Sequence, residues 1–491
     1  MKFSVVSVGG GFSGTMLAVQ LLRRVPSLSV AVIDKGAVPG RGVAYSTPYN
    51  CHLLNVPAGN MSALPEDPDH FLNWARANYE CPVQATSFLP RRFYGQYLGS
   101  LLEEATEHSV GGNFRWIEGE VCSLESKRDG SNITVRLKDG SRLTTQSLVL
   151  TAGNFSPPRL NVFGLSEQSE RYSPSAWSAG ALQDIPRDGS VLLIGSGLTS
   201  IDVAVALESE GFAGHIHILS RHGLMPQPHR PSGQWSQYWN ERSPRTTRGL
   251  LRLVREQVRF ASTVGCDWRP VIDGLRPVTQ RIWQSLPLDE RKRFLRHVRS
   301  YWEIHRHRIA SEIDDTISKL FQNGLATLHA GRVTSYRECN DHAEISLRDR
   351  KTGAQRILHV DRVINCTGPE TDCRRIEDPL IKSFLAQGLA RPDCLSLGLD
   401  VDSNGALIDS NGTASRSLYA VGPVRKGCLW ETIAVPEIRQ QASQLAEHLT
   451  SAFGPNMLEP NVLGSQSKET DGEHLRLALD NLRPLPESAK K

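Results

Sequence analysis

The chain has 491 residues, a formal net charge of +4, 39% hydrophobic and 22% charged residues. That is a globular composition with room for two or three domains. The near-neutral charge argues neither for nor against nucleic acid, and no run reaches the roughly 18 apolar residues of a membrane span. Nine cysteines, at 51, 81, 122, 266, 339, 366, 373, 394 and 428, form no Cys-x-x-Cys and no metal-ligand spacing. Reduced thiols and no metal are therefore expected. The apolar start is broken by glycines after a few residues, without a small-residue cleavage site, which places the protein in the cytoplasm.

Residues 3–8, Phe-Ser-Val-Val-Ser-Val, predict a strand, and Gly9-Gly10-Gly11-Phe12-Ser13-Gly14 leads from it into a periodic helix. Gly9 suits the tight turn, Gly11 the close approach of a pyrophosphate, and Gly14 the packing of helix on strand. The helix N-terminus offers free N–H groups to the phosphates. The next strand ends at Asp34, twenty residues past Gly14, where a carboxylate accepts hydrogen bonds from a ribose diol. Phe12, Ser13 and Lys35 are counted with this site. The segment 40–65 that follows is rich in Gly, Pro and Asn, too polar for a core and too apolar for a tail. His52 within it is either a site donor or an ordinary loop histidine.

A buried strand over 148–154 ends at Ala152-Gly153. Residues 191–207 then repeat the first pattern as strand, Gly195-Ser196-Gly197-Leu198-Thr199-Ser200, helix, with Ser200 in place of the third glycine. Ser220 stands 25 positions past Gly195, as Asp34 stands 25 past Gly9. A carboxylate there would repel a ribose 2′-phosphate. A hydroxyl beside the Arg221 guanidinium would bind one, and His222 adds a donor. The first unit thus fits a dinucleotide with a free 2′-OH and the second fits NADPH. The alternative is that Arg221 is a solvated surface arginine.

Residues 236–325 carry no strand signal. Phe294, Val298 and Trp302 recur every four residues as a buried stripe, with Arg291, Arg296, Arg299, Arg306, Arg308, His297, His305 and His307 on the other faces. A protein with two such nucleotide units usually passes electrons from a nicotinamide to a flavin. For this stretch a solvated basic face, a cationic lid over the flavin and a nucleic-acid surface all stay open. His305 and His307, two apart on a helix, face different ways and do not suit a metal. A further strand ends at Thr367-Gly368. Residues 417–442 read as strand, Gly422, loop and a helix starting near Thr432, its N-terminus aimed at the flavin. The tail, 455–491, is expected to be flexible.

The fold class expected is α/β, with two Rossmann-like dinucleotide-binding domains, the second inserted in the first, and a helical insertion. The boundaries are 1–165 for the first part of the FAD domain, 166–349 for the NADPH domain with the insertion at about 236–325, and 350–454 for the second part of the FAD domain.

This arrangement resembles the two-dinucleotide-domain flavoproteins. Within them it is most similar to a bacterial FAD/NAD(P)-binding family related to the lysine and ornithine N-hydroxylases and the flavin-containing monooxygenases. GRGVAYSTPYNCHLLNVPAGNMSALP (40–65), FLPRRFYGQYL (88–98), LLIGSGLTSID (192–202), FLRHVRSYWEIHRHRIA (294–310) and GCLWETIAVPEIR (427–439) carry the likeness. The resemblance implies FAD and NADPH as cofactors and a flavin wrapped by the 40–65 loop. Arg41 and Gly42 would lie near the phosphates or ribityl chain, and Asn55, Val56, Pro57 and Met61 near the ring. Val121 joins that set, and His52 and Asn55 are the catalytic candidates. The activity implied is a monooxygenase that oxidises a small amine or sulfur substrate with O2 through a C4a-peroxyflavin. A reductase or oxidase without oxygen insertion, or a non-enzymic flavin-binding redox sensor, are the alternatives. The oxygenating relatives' Phe-x-Gly-x-x-x-His pattern is missing: residues 161–177 hold adjacent Phe163 and Gly164 and no histidine.

Overall fold

The computed structural model describes residues 1–109, 113–126 and 132–453. Apolar strands alternating with helices build two sheets. Across the first, in order, run Ala406–Ile408, Ala414–Ala420, Arg142–Leu150, Lys2–Val8, Val30–Asp34 and Phe114–Glu118, with the hairpin Val121–Ser126 and Ile133–Leu137 attached to Arg142–Leu150. Lys2–Val8 lies in the middle, parallel to both neighbours. Its side chains alternate between two cores. Val5 faces the helices Phe12–Arg24, Arg91–Glu107 and Val435–Phe453, and Val6 faces the hairpin and the helix Pro379–Ala386. A parallel sheet covered on both faces needs such an apolar strand.

The second sheet runs Gln355–Val360, Ala343–Asp349, Ala326–Glu338, His215–Ser220, Ser190–Ile194, Arg362–Asn365 and Tyr172–Ser173. The helices Leu198–Ser209 and Ser311–Gln322 cover one face. The expected boundary at 349 is too early. Arg362–Asn365 pairs in parallel with Ser190–Ile194, so the chain leaves this sheet only after Asn365. Val363 and Ile364 fill opposite faces of the sheet, which holds that strand here.

Five α-helices make the insertion: Thr247–Thr263, Trp268–Asp273, Thr279–Ser285, Leu288–His297 and Arg299–Arg306. The run expected as one helix breaks at Val298, and Phe294 and Trp302 are half-buried against Trp283 and Trp430. Two of the arginines expected at the surface point inward. Arg306 pairs with Glu431 at 3.5 Å and Glu437 at 3.2 Å, and Arg308 pairs with Asp273. Buried guanidinium groups require such partners. The insertion is thereby tied to the segment after Gly422: Trp283 Nε1 donates to the Gly427 carbonyl (2.8 Å) and Gln280 to the Glu431 carbonyl (2.7 Å). Among the described residues no helix is long and apolar enough to cross a membrane. The expected tail, 455–491, lies outside the described residues.

Candidate active site

The first glycine turn is built by contacts that only glycine allows. Gly9 has φ +112°, and a Cβ there would overlap the Thr151 carbonyl oxygen. A Cβ on Gly14 would overlap the Gly9 carbonyl oxygen. Asp34 ends its strand beside this turn, accepting from the Gly10 N–H (2.5 Å) and the Gly36 N–H (2.8 Å). The following loop docks on the turn through the Gly40 N–H to the Gly10 carbonyl (3.1 Å), which brings Gly42 against Gly11. Between them sits Arg41. Its Nε is buried without a hydrogen-bond partner, and desolvation, with Arg92 nearby, lowers its pKa. An unpartnered cation beside a glycine turn suits a phosphate.

The opposite wall comes from the end of the chain. Ser13 reaches Gly422, where a Cβ would lie 2.7 Å from the serine Oγ. Thr432 Oγ1 donates to the Gly422 carbonyl (2.8 Å), and Gln441 closes the ring by accepting from the Gly422 N–H (3.0 Å) and donating to Thr432 (2.8 Å). The helix expected from near Thr432 begins at Val435; Trp430, at φ +62°, breaks the chain direction before it. Ala152 and Gly153 cross behind Gly9, with open space in front of Gly153.

Several expected site residues do not face the turn. Lys35 points away and pairs with Glu120 (3.0 Å) and Asp378 (3.7 Å). Phe12 and Met61 are in the core with Tyr94, whose hydroxyl donates to the Met61 carbonyl, and Val121 packs in the other core. Val56 is half-buried against the same core as Met61.

The second turn repeats the first. Gly195 has φ +121°, and a Cβ there would overlap the Cys366 carbonyl oxygen, as Gly9 would overlap Thr151. Gly197 and Gly368 have open space where a Cβ would be. Ser200 is buried, its hydroxyl donating to the Gly197 carbonyl (2.8 Å), while Leu198 and Thr199 are half-buried at the start of the helix. The strand His215–Ser220 ends as a turn in which Ser220 Oγ accepts from the Gly223 N–H (3.0 Å). Arg221 is exposed, and Arg350 Nη1 donates to its carbonyl (3.1 Å). The Arg221 and Arg350 guanidinium groups also lower the His222 pKa, after its own desolvation. Neither arginine has a carboxylate partner among the described residues. Arg350 was invisible to sequence reasoning, because 129 positions separate it from Arg221.

His52 joins the two units. Its Nε2–H donates to the Asp202 carbonyl (2.9 Å) and its Nδ1 accepts from Thr47 Oγ1 (2.7 Å). This is a neutral imidazole, and desolvation lowers its pKa. With both nitrogens engaged it is a strut between the two units. Asn55 accepts at its carbonyl from His229 Nε2–H (3.0 Å); burial and then the Arg308 charge push His229 down to about 4.

The donor set fits two nucleotides: open space lies at Gly153 beside the first glycine turn and at Gly197 in the second, one strand ends in a carboxylate, and the other ends beside Arg221 and Arg350, which have no carboxylate partner among the described residues. Residues 6–155 match a family model described as FAD-NAD(P)-binding. No curated protein sequence matches. The ornithine hydroxylase of Pseudomonas aeruginosa superposes with a TM-score of 0.63 at 17% identity, covering 92% of this chain and 100% of that one. The cadaverine monooxygenase of Erwinia amylovora, solved with FAD, gives 0.63 at 15%, covering 95% and 100%. L-lysine 6-monooxygenase of Pseudomonas syringae gives 0.63 at 17%, covering 92% and 100%. Residues 6–155 thus form an FAD-NAD(P)-binding domain, in a chain that shares the fold of these hydroxylases over 92% of its length or more.

Proposed function

We propose that the protein is an FAD- and NADPH-dependent oxidoreductase, and within that class a monooxygenase that oxidises the nitrogen of a small amine with O2. The observation that carries the cofactor reading is the contrast between the two strand ends: Asp34 held by two backbone amides, and Ser220-Arg221-His222 with Arg350. The amine reading is drawn from the similar structures, which are those of enzymes named for ornithine, cadaverine and lysine.

Bound flavin would supply the redox chemistry. The chain's own residues do the rest. Asp34 accepts from the ribose hydroxyls of FAD, and Arg41 with the turn at Gly11 takes its phosphates. The network of Gly422, Thr432 and Gln441 holds the wall beside Ser13 rigid. At the second turn, the open face of Gly197 admits the pyrophosphate of NADPH, and Arg221, His222 and Arg350 receive its 2′-phosphate. The insertion, tied down by Trp283, Gln280 and Arg306, shields the segment 427–431 from water.

The test is anaerobic reduction of the purified protein by NADPH, followed by rapid mixing with oxygenated buffer. A transient spectrum distinct from reduced and oxidised flavin supports oxygen insertion. Direct return to the oxidised spectrum overturns it in favour of an oxidase or reductase. Bound flavin that NADPH never reduces overturns the oxidoreductase reading itself.

A further inference from the structure

The hairpin joining Ala326–Glu338 to Ala343–Asp349 lies eight residues along the strand from Ala330, which pairs with Ser220 next to Arg221. Its sequence is Glu338-Cys339-Asn340-Asp341-His342-Ala343-Glu344. No metal-ligand spacing was expected in this chain. The Cys339 N–H donates to the His342 carbonyl (2.8 Å), a tight turn that sets the two side chains at one tip. Glu344 alternates with the buried Ala343 and Ile345 and so projects from the opposite face of its strand. Cys339 Sγ, a His342 ring nitrogen and a Glu344 carboxylate oxygen all lie within 4.8 Å of one another.

We propose that Cys339, His342 and Glu344 form a binding site for a divalent cation of the zinc class. A tetrahedral zinc ion with usual bond lengths needs sulfur, nitrogen and oxygen donors roughly 3.5 Å apart, so side-chain rotations alone close the site. One thiolate, one imidazole and one carboxylate suit zinc and not calcium or magnesium. The surroundings also orient the donors. Asp341 Oδ1 holds His342 Nδ1 at 2.6 Å, the carboxylate–histidine pairing that fixes a metal-binding imidazole and leaves Nε2 for the ion. His359, directly across from Glu344, stacks flat on the His342 ring at 4.6 Å and 4°. Arg337 pairs with Glu344 across the hairpin, which steadies one of its carboxylate oxygens. Three protein donors leave the fourth position to water. The tip also accepts from Arg171 through the Asn340 carbonyl (2.9 Å), so a bound ion would clamp the hairpin onto the strand entering this sheet.

The experiment uses the full chain, stripped with a chelator and titrated with Co2+. Ligand-field bands of four-coordinate, thiolate-bound cobalt are expected in the red, where flavin does not absorb, and Zn2+ should bleach them. Cys339→Ser should abolish the bands. Asp341→Asn, which keeps all three ligands, should weaken binding about tenfold to a hundredfold. Zn2+ should raise the thermal midpoint of the parent chain and not of Cys339→Ser. Absence of the bands, or bands that persist in Cys339→Ser, overturns the site. The readout uses neither flavin nor NADPH and stands apart from the proposed activity.

Discussion

Arg91 and Asp202 form a buried two-pronged ion pair, Nη1 to Oδ2 at 2.7 Å and Nη2 to Oδ1 at 2.9 Å, between the two dinucleotide units. Arg91 lies on the helix Arg91–Glu107, packed on the first sheet, and Asp202 on the helix that starts at the second glycine turn. Arg91 Nε also donates to the Leu53 carbonyl, and His52 to the Asp202 carbonyl. The pair therefore sets the loop around Leu53 against the helix Leu198–Ser209. Removing one member leaves an uncompensated buried charge, which costs about 3–5 kcal/mol. Arg91→Ala should lower unfolding stability by that amount in denaturant titration. A loss within ordinary surface variation would show that the units are held elsewhere.

Arg221→Ala and Arg350→Ala should each raise the KM for NADPH about tenfold and leave that for NADH nearly unchanged, because each removes a charge-assisted phosphate contact. Steady-state kinetics with both nucleotides checks this. Equal effects on the two would remove the 2′-phosphate from this corner. An effect of Arg221 alone would reduce Arg350 to a support for the turn.

Two glycines should separate packing from ligand approach. Gly14→Ala drives a methyl group into the Gly9 carbonyl oxygen, so it should lower stability by more than 2 kcal/mol, in the range of overpacking. Gly197→Ala meets nothing within 4 Å, so it should fold with stability close to the parent and bind NADPH at least tenfold more weakly. Thermal melts with and without NADPH distinguish the two.

His229 gives a pH signature. Its folded pKa is held down to about 4, below the ordinary value of 6.5. Between those values the unfolded chain binds a proton that the folded one refuses, so its contribution is intact above pH 6.5 and is lost as the pH falls toward 4. His229→Asn keeps a donor for the Asn55 carbonyl without the titration. Its stability should fall less steeply than the parent's over that window. Parallel curves would mean that His229 is solvated.

The two glycine turns were legible because each depends on neighbours in sequence: an apolar strand, a turn that needs φ above zero, a helix, and a strand end at fixed spacing. Asp34 and Ser220 stand at their strand ends for that reason. Other expectations failed because longer-range contacts overrode local pattern. Lys35 follows Asp34 in sequence, but it lies past the end of the strand and turns to Glu120 and Asp378. The periodic stripe at Phe294, Val298 and Trp302 suggested one continuous helix; packing against Trp283 and Trp430 accompanies a break at Val298. Arg306 and Arg308 looked like surface cations because their acids, Glu431, Glu437 and Asp273, lie far along the chain.

By itself, then, the sequence determined two nucleotide units and which of them ends in an acid, since turn geometry and helix starts are local. Only the tertiary structure decided that His52 is a strut, that Arg350 stands beside Arg221, that Arg91 bolts one unit to the other, and that Cys339, His342 and Glu344 meet at one hairpin tip. Most of these rest on contacts between residues far apart in sequence, which no local pattern encodes; the hairpin cluster is close in sequence and forms because the turn folds Cys339 back against His342.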